Sequence, residues 1–264
     1  MAGNRPPLSL YGSPVNVHNS QKVCLLYPAV TVPQLVADFE SYRDEVRAKH
    51  TVLARPGGSQ IVVPATSGSR YFPDGQKRMV QRIRRRLGTA WTQSGVLLTL
   101  TYDPKLISCI DAWRSVGRHR REFVNRLWQF RGRHRLGRKP LGFLSVLEVQ
   151  PSTGYPHVHM VFPGIRWLAG HADVNRIWGR GFTDVRLRDS MGPANYICKY
   201  LSKMSGWAAE YLAYLHTFAI RMYSVGRRYF LPRPFLLVGS RKVYLPVSPW
   251  FFVAQYVTVE PQAP

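Results

Sequence analysis

The chain has 264 residues, 45% of them hydrophobic, which is enough to bury a core and excludes a disordered polymer. Lys and Arg number 37 against 14 Asp and Glu, a net charge of +23. An excess of this size over the whole chain points to a polyanion, nucleic acid before an anionic membrane, because no basic amphipathic helix stands out as membrane-bound. Cys24, Cys109 and Cys198 are far apart and form no Cys-x-x-Cys pair, so reduced thiols in the cytoplasm of a host cell are expected and a thiolate zinc site is not. Met1 to Pro14 is polar and rich in Pro and Gly, unlike a signal peptide, so secretion is not expected. Phe235 to Val259 is apolar but broken by Arg241, Lys242, Pro246 and Pro249, which excludes a membrane helix. No Gly-x-x-x-x-Gly-Lys-[Ser/Thr] is present, so no P-loop is expected.

Residues 1 to about 30 read as an irregular arm. Thr31 is placed to cap a helix that starts at Val32-Pro33 and carries Leu35, Val36, Phe39, Tyr42 and Val46 at helical spacing to about Lys49. Gln60 to Val63 reads as a short strand between Gly- and Ser-rich loops. Gln76 to Ala90 reads as a helix with Met79, Ile83 and Leu87 on one face. Arg82, Arg84, Arg85 and Arg86 lie on its basic side, which suits either a solvated surface or contact with a phosphate backbone. Val96 to Thr101 reads as a buried central strand. A long helix is expected from about Lys105 to Phe130, capped by Asp103-Pro104 and kinked near Gly117, burying Ile110, Trp113, Phe123, Leu127 and Trp128. Arg118, Arg120 and Arg121 belong to a second basic concentration. His119 and His134 sit among these arginines and are rejected as metal ligands, because a cation would be repelled there. His171 and His216 stand alone and are assigned no role.

Leu141 to Gln150 and Gly154 to Phe162 read as the two arms of a hairpin around the turn cluster Pro151-Ser152-Thr153-Gly154. Alternate strand residues share a face, so His157 and His159 project together while Val158 turns into the core. If the turn holds an even number of residues, Glu148 comes opposite one of them on that face. Two imidazoles and a carboxylate, with positions left open, suit Mg²⁺ or Mn²⁺ acting on a phosphate. Asp173 to Trp178 then reads as a short helix, Gly179 to Leu187 as a turn and strand, and Trp207 to Met222 as a helix. Between the last two lies Tyr196-Ile197-Cys198-Lys199-Tyr200-Leu201-Ser202-Lys203, preceded by Pro193 near its first turn. The tail from Arg227 reads as strands or extended segments with Pro turns. Strands in antiparallel runs with helices packed on them make an α+β fold.

The His-x-His strand followed by a doubled Tyr-x-x-Lys resembles the HUH endonucleases (His, hydrophobic, His) of the rolling-circle initiator type. The two-tyrosine form is similar to the initiators of small single-stranded DNA phages. The resemblance runs roughly from Val96 to Lys203, with Leu97-Leu98-Thr99-Leu100-Thr101 as a first motif, His157-Val158-His159 as a second and the Tyr/Lys helix as a third. It implies a central antiparallel sheet bearing the histidines and a tyrosine helix lying across it. The expected division is an N-terminal extension at 1–75, an HUH endonuclease domain at 76–230 and a C-terminal extension at 231–264.

The implied activity is initiation of rolling-circle replication by nicking and rejoining single-stranded origin DNA. Tyr196 or Tyr200 would attack phosphorus, leaving a 5′-phosphotyrosine and a free 3′-hydroxyl. Lys199 and Lys203 would stabilise phosphate charge or protonate the leaving oxygen. His157, His159 and Glu148 would hold the metal, and a host helicase and polymerase would follow. The rival readings are a transposase of the same superfamily and a basic nucleic-acid-binding module without catalysis. A conjugative relaxase fits less well, because its tyrosine precedes its three histidines.

Overall fold

The computed structural model describes residues 31–54, 58–87, 93–136, 142–188, 192–226, 235–238, 241–244 and 251–257. Cys24 and the Met1–Pro14 segment lie outside the described residues, as does the side chain of Arg86.

Helix α1, Val32–Ala48, has Pro33 in its first turn and buries Leu35, Phe39 and Val46, the apolar positions of the expected stripe. Thr31 occupies the N-cap position but makes no side-chain capping bond. At Lys49 the backbone turns extended and runs directly into a strand that the helical periodicity had concealed, β1, Lys49–Ala54. Strand β2, Gln60–Pro64, pairs antiparallel with it. Helix α2, Pro73–Leu87, buries Met79, Ile83 and Leu87.

The expected central strand is β3, Gly95–Tyr102. The long helix after it, α3, Cys109–Arg133, differs from expectation at its start and middle. Its cap is Ser108, whose hydroxyl oxygen accepts from the Asp111 N–H at 3.2 Å, and the helix continues unbroken through Gly117. Asp103 instead accepts from the Lys105 N–H in a turn, at 2.9 Å. Trp113, Phe123 and Leu127 are buried as expected, Ile110 is half-buried, and Trp128 is on the surface at 42% exposure. A helix of this length presents only one stripe to the sheet, and Trp128 falls next to that stripe.

The hairpin follows as β4, Leu144–Val149, and β5, Pro156–Pro163. Then come α4, His171–Trp178, β6, Gly181–Arg188, α5, Pro193–Ser202, and α6, Ala209–Thr217. Helix α6 is shorter than the Trp207–Met222 helix expected, because the chain leaves it to form a further strand, β7, Tyr223–Val225. Strands β8, Phe235–Val238, β9, Arg241–Tyr244, and β10, Phe251–Val257, complete the described chain.

Five strands form one antiparallel sheet in the order β6-β3-β5-β4-β7, with helices packed against it: an α+β fold. Leu98, Leu100, Leu147, Val158 and Met160 point into the core on one face, together with Tyr102. Helix α3 covers that face: Trp113 donates from its indole N–H to the Gly154 carbonyl at 2.9 Å. Strand β10 pairs with β1, so one three-stranded sheet joins segments from the two ends of the chain. No helix among the described residues is long and apolar enough to cross a membrane.

Candidate metal centre and tyrosine helix

Val149 pairs with Pro156, so six residues form the hairpin loop. Six is even, and Glu148 therefore lies on the histidine face, directly opposite His157. Gly154 closes the loop at φ 74°, a conformation that favours glycine, and its N–H donates to the Gln150 carbonyl at 2.8 Å. The same residue accepts the Trp113 bond, so the turn that sets the register is anchored to α3.

The ligand atoms of Glu148, His157 and His159 lie within 4.8 Å of one another. The two imidazole rings are 5.0 Å apart. Glu148 pairs in register with His157, yet its Oε2 lies 2.8 Å from Nε2 of His159. A glutamate is long enough to reach the diagonal neighbour across a strand pair. If the carboxylate accepts this bond, Nε2 of His159 carries a proton, and Nδ1 then accepts from the Thr99 hydroxyl, 3.2 Å away. A metal on Nε2 would reverse these roles, with Nδ1 donating to Thr99, and a hydroxyl serves either case without moving the ring. His157 is oriented in the same way, by the Thr101 hydroxyl 2.7 Å from its Nε2. Burial, with His159 beside it, lowers the His157 pKa to about 4, against the weaker opposing pull of Glu148. Its imidazole is therefore neutral near pH 7 and keeps a lone pair for a cation. The donor set fits one divalent ion of the Mg²⁺ or Mn²⁺ type.

Helix α5 lies across this face, in contact with β3, β4 and β5. Ile197, Cys198 and Leu201 form its buried side, and burial pushes the Cys198 thiol up to about 12. That thiol is a packing group, not a nucleophile. The two tyrosines share a side of the helix but not an environment. Tyr200 is 8% exposed, and its ring stacks on His159 at 4.4 Å with an 8° angle between planes. Its hydroxyl donates to that of Tyr196 at 3.2 Å. Tyr196 is 36% exposed, with the Lys199 ammonium 3.9 Å from its ring centre and the Arg188 guanidinium 5.1 Å away. The Tyr200 bond above all, helped by Lys199 and Arg188, holds the Tyr196 phenol below the usual tyrosine range. Burial, the bond to Tyr196 and the nearby Glu148 charge push the Tyr200 phenol above it. The lysines are unequal too: Lys199 lies 5.1 Å from the Tyr200 ring as well, while Lys203 stands off at 5.8 Å.

The two basic concentrations fall in different layers. Helix α2 packs beside α5, and Arg82, Arg84 and Arg85 are exposed on it. Arg118 and Arg121 are exposed on α3, which covers the opposite face of the sheet from the histidines. Arg120 departs from the expectation of a surface contact. It is buried at 6% exposure near Tyr102, and its Nη1 has no hydrogen-bond partner among the described residues. A helical turn brings three successive residues to three different directions, so a run of arginines cannot all face solvent. His119 is likewise interior: it bonds the Tyr102 hydroxyl at 3.1 Å, and burial followed by the charges of Arg180 and Arg118 lowers its pKa to about 4. His171 bonds the Thr183 carbonyl, and His216 packs among Phe39, Tyr42 and Tyr71.

Sequence reasoning assigns no role to Thr99, Thr101 or Arg188. The signal for the threonines is present as two hydroxyls at alternate positions in an otherwise apolar strand. Arg188 reaches Tyr196 only because β6 and α5 meet, and no sequence spacing announces that.

Residues 95–205 match the family model of the replication-associated protein ORF2, a family of phage rolling-circle initiators. That segment belongs to this replication-associated family. The match begins at the first residue of β3, includes the histidine hairpin and ends just after Lys203, nearly the same span as the motif resemblance. No curated protein and no solved structure matches the chain.

Proposed function

We propose that this chain initiates rolling-circle replication by nicking single-stranded origin DNA through Tyr196 and Tyr200, and later rejoins the strand. The observation that carries the reading is the stack of Tyr200 on His159, which sets a two-tyrosine helix directly over a His/His/Glu cluster. A non-catalytic nucleic-acid-binding module accounts for the charge but not for this arrangement. The replication-associated family favours an initiator over a transposase.

A bound Mg²⁺ or Mn²⁺, held by His157, His159 and Glu148, would polarise the scissile phosphate. The phenol oxygen of Tyr196 gives up its proton and bonds to phosphorus, while the bond from phosphorus to the 3′-oxygen breaks. The departing oxygen takes a proton, with Lys199 the nearest donor to the tyrosine pair, and becomes the free 3′-hydroxyl. The 5′-phosphate stays on the protein as a tyrosine ester, so rejoining by the reverse attack needs no ATP. Lys203 serves Tyr200 in the same way. Arg82, Arg84 and Arg85 on α2, with Arg118 and Arg121 on α3, hold DNA by charge. A host helicase and polymerase would extend the 3′-end in the cytoplasm of the host cell.

The unequal surroundings of the tyrosines assign an order: Tyr196, exposed and easier to ionise, opens the first strand, and Tyr200 acts once DNA has drawn it off His159. The test is adduct mapping by mass spectrometry with labelled single-stranded DNA and Mn²⁺. The first adduct is expected on Tyr196. Tyr196→Phe should slow it by about tenfold for each unit separating the two phenol pKa values. Tyr200→Phe should retain the first adduct, and the double variant should form none. An adduct that survives both changes would overturn the tyrosine mechanism, and a first adduct on Tyr200 would overturn the order.

A further inference from the structure

Strand β6 is an edge of the five-stranded sheet, and its register extends the candidate site sideways. Phe182 pairs with Thr101, Asp184 with Thr99, Arg186 with Leu97 and Arg188 with Gly95. Paired residues on neighbouring strands share a face. Phe182 is therefore on the same face as Thr101, and in one row with His157 and Glu148 beyond it. The Arg188 guanidinium above the Tyr196 ring supports the facing independently. With strands ~4.8 Å apart, Phe182 stands two strands, about 10 Å, from the metal ligands.

The other residues on this side of β6 are charged, as an open edge demands, and Phe182 breaks the pattern. It is 62% exposed, and no ring or cation among the described residues lies on it. The one carboxylate in the row, Asp184, is engaged by Nε of Arg186 at 2.7 Å. What remains is a flat aromatic surface followed by two guanidiniums, leading up to the tyrosines. That combination suits a single strand of nucleic acid, which offers bases to stack and phosphates to pair.

We propose that Phe182 is the stacking platform for a base next to the scissile phosphate, with Arg186 and Arg188 holding the adjoining backbone. The inference rests on the single-stranded DNA reading above but not on cleavage. It also accounts for how a strand lacking a partner is kept extended past the metal ligands: a stacked base cannot pair, so the edge strand holds the substrate open.

The experiment measures equilibrium binding of the full chain in chelator, where nicking is absent. The probes are fluorescein-labelled oligothymidylate and an abasic oligomer of the same length and charge. The wild type should prefer the strand with bases. Phe182→Ala should shrink that preference by roughly 5- to 100-fold, the worth of one or two stacked bases. Phe182→Leu should behave like Ala, and Phe182→Trp should retain the preference with quenching of the new indole. Arg186→Ala should weaken both probes equally. A Phe182→Ala variant that keeps the full preference overturns the proposal, as does one that weakens both probes to the same extent. Failure of nicking in a separate Mn²⁺ assay, with the stacking preference intact, would count against the endonuclease reading alone.

Discussion

The two faces of the five-stranded sheet each carry a tyrosine against a histidine, and only one pair belongs to the candidate site. On the α3 face, Tyr102 bonds His119 in the interior, with Trp178 packed edge-on to the tyrosine ring and arginine charge on the histidine. On the α5 face, Tyr200 stacks on His159, which meets Glu148 and shares the face with His157. Residue type does not separate the pairs. The difference is a carboxylate within reach of one imidazole and arginine charge against the other, so a cation is welcome on one face and repelled from the other. The tyrosine helix also leaves its side partly open to solvent, whereas α3 seals its own.

The largest break of this comparison is removal of the metal ligands. His157→Ala with His159→Ala should lower nicking by ~1000-fold or more, since metal assistance is worth several kcal/mol, while single-stranded DNA affinity is retained. His119→Gln should cause no such loss of Mn²⁺ binding in a calorimetric titration. Full activity of the double variant, or undiminished activity in excess chelator, would remove the distinction between the faces.

A finer probe is the hydroxyl behind His159. Thr99→Val keeps the shape of the side chain and removes the partner of Nδ1, which should weaken Mn²⁺ binding by about 10- to 100-fold. Thr99→Ser should restore it. An unchanged affinity would mean that packing under Tyr200 alone orients the ring.

The smallest effects concern the arginines. Arg82→Ala should reduce the slope of log affinity against log salt for single-stranded DNA by about 0.7. Arg120→Met should leave the slope unchanged, because that guanidinium is buried, and thermal melting should show the variant neutral or more stable by up to ~4 kcal/mol. A slope change on Arg120→Met would place its charge on the DNA path after all.

The features legible in the sequence were those that depend on neighbours along the chain. His157-Val158-His159 shares a face because strands alternate. Tyr196 and Tyr200 share a side because a helix turns in 3.6 residues. Met79, Ile83 and Leu87 found the core by the same period. The strands β1 and β7 escaped because each abuts a helix and is defined by distant partners, β10 and β4. Tertiary structure alone decided which histidine meets Glu148, which tyrosine is covered and which arginine is buried. The diagonal reach of Glu148 depends on two paired strands, the difference between Tyr196 and Tyr200 on the tilt of α5 over β5, and the fate of Arg120 on which stripe of α3 faces the sheet. Each is set by contacts between residues far apart in the chain, and local periodicity carries no information about those.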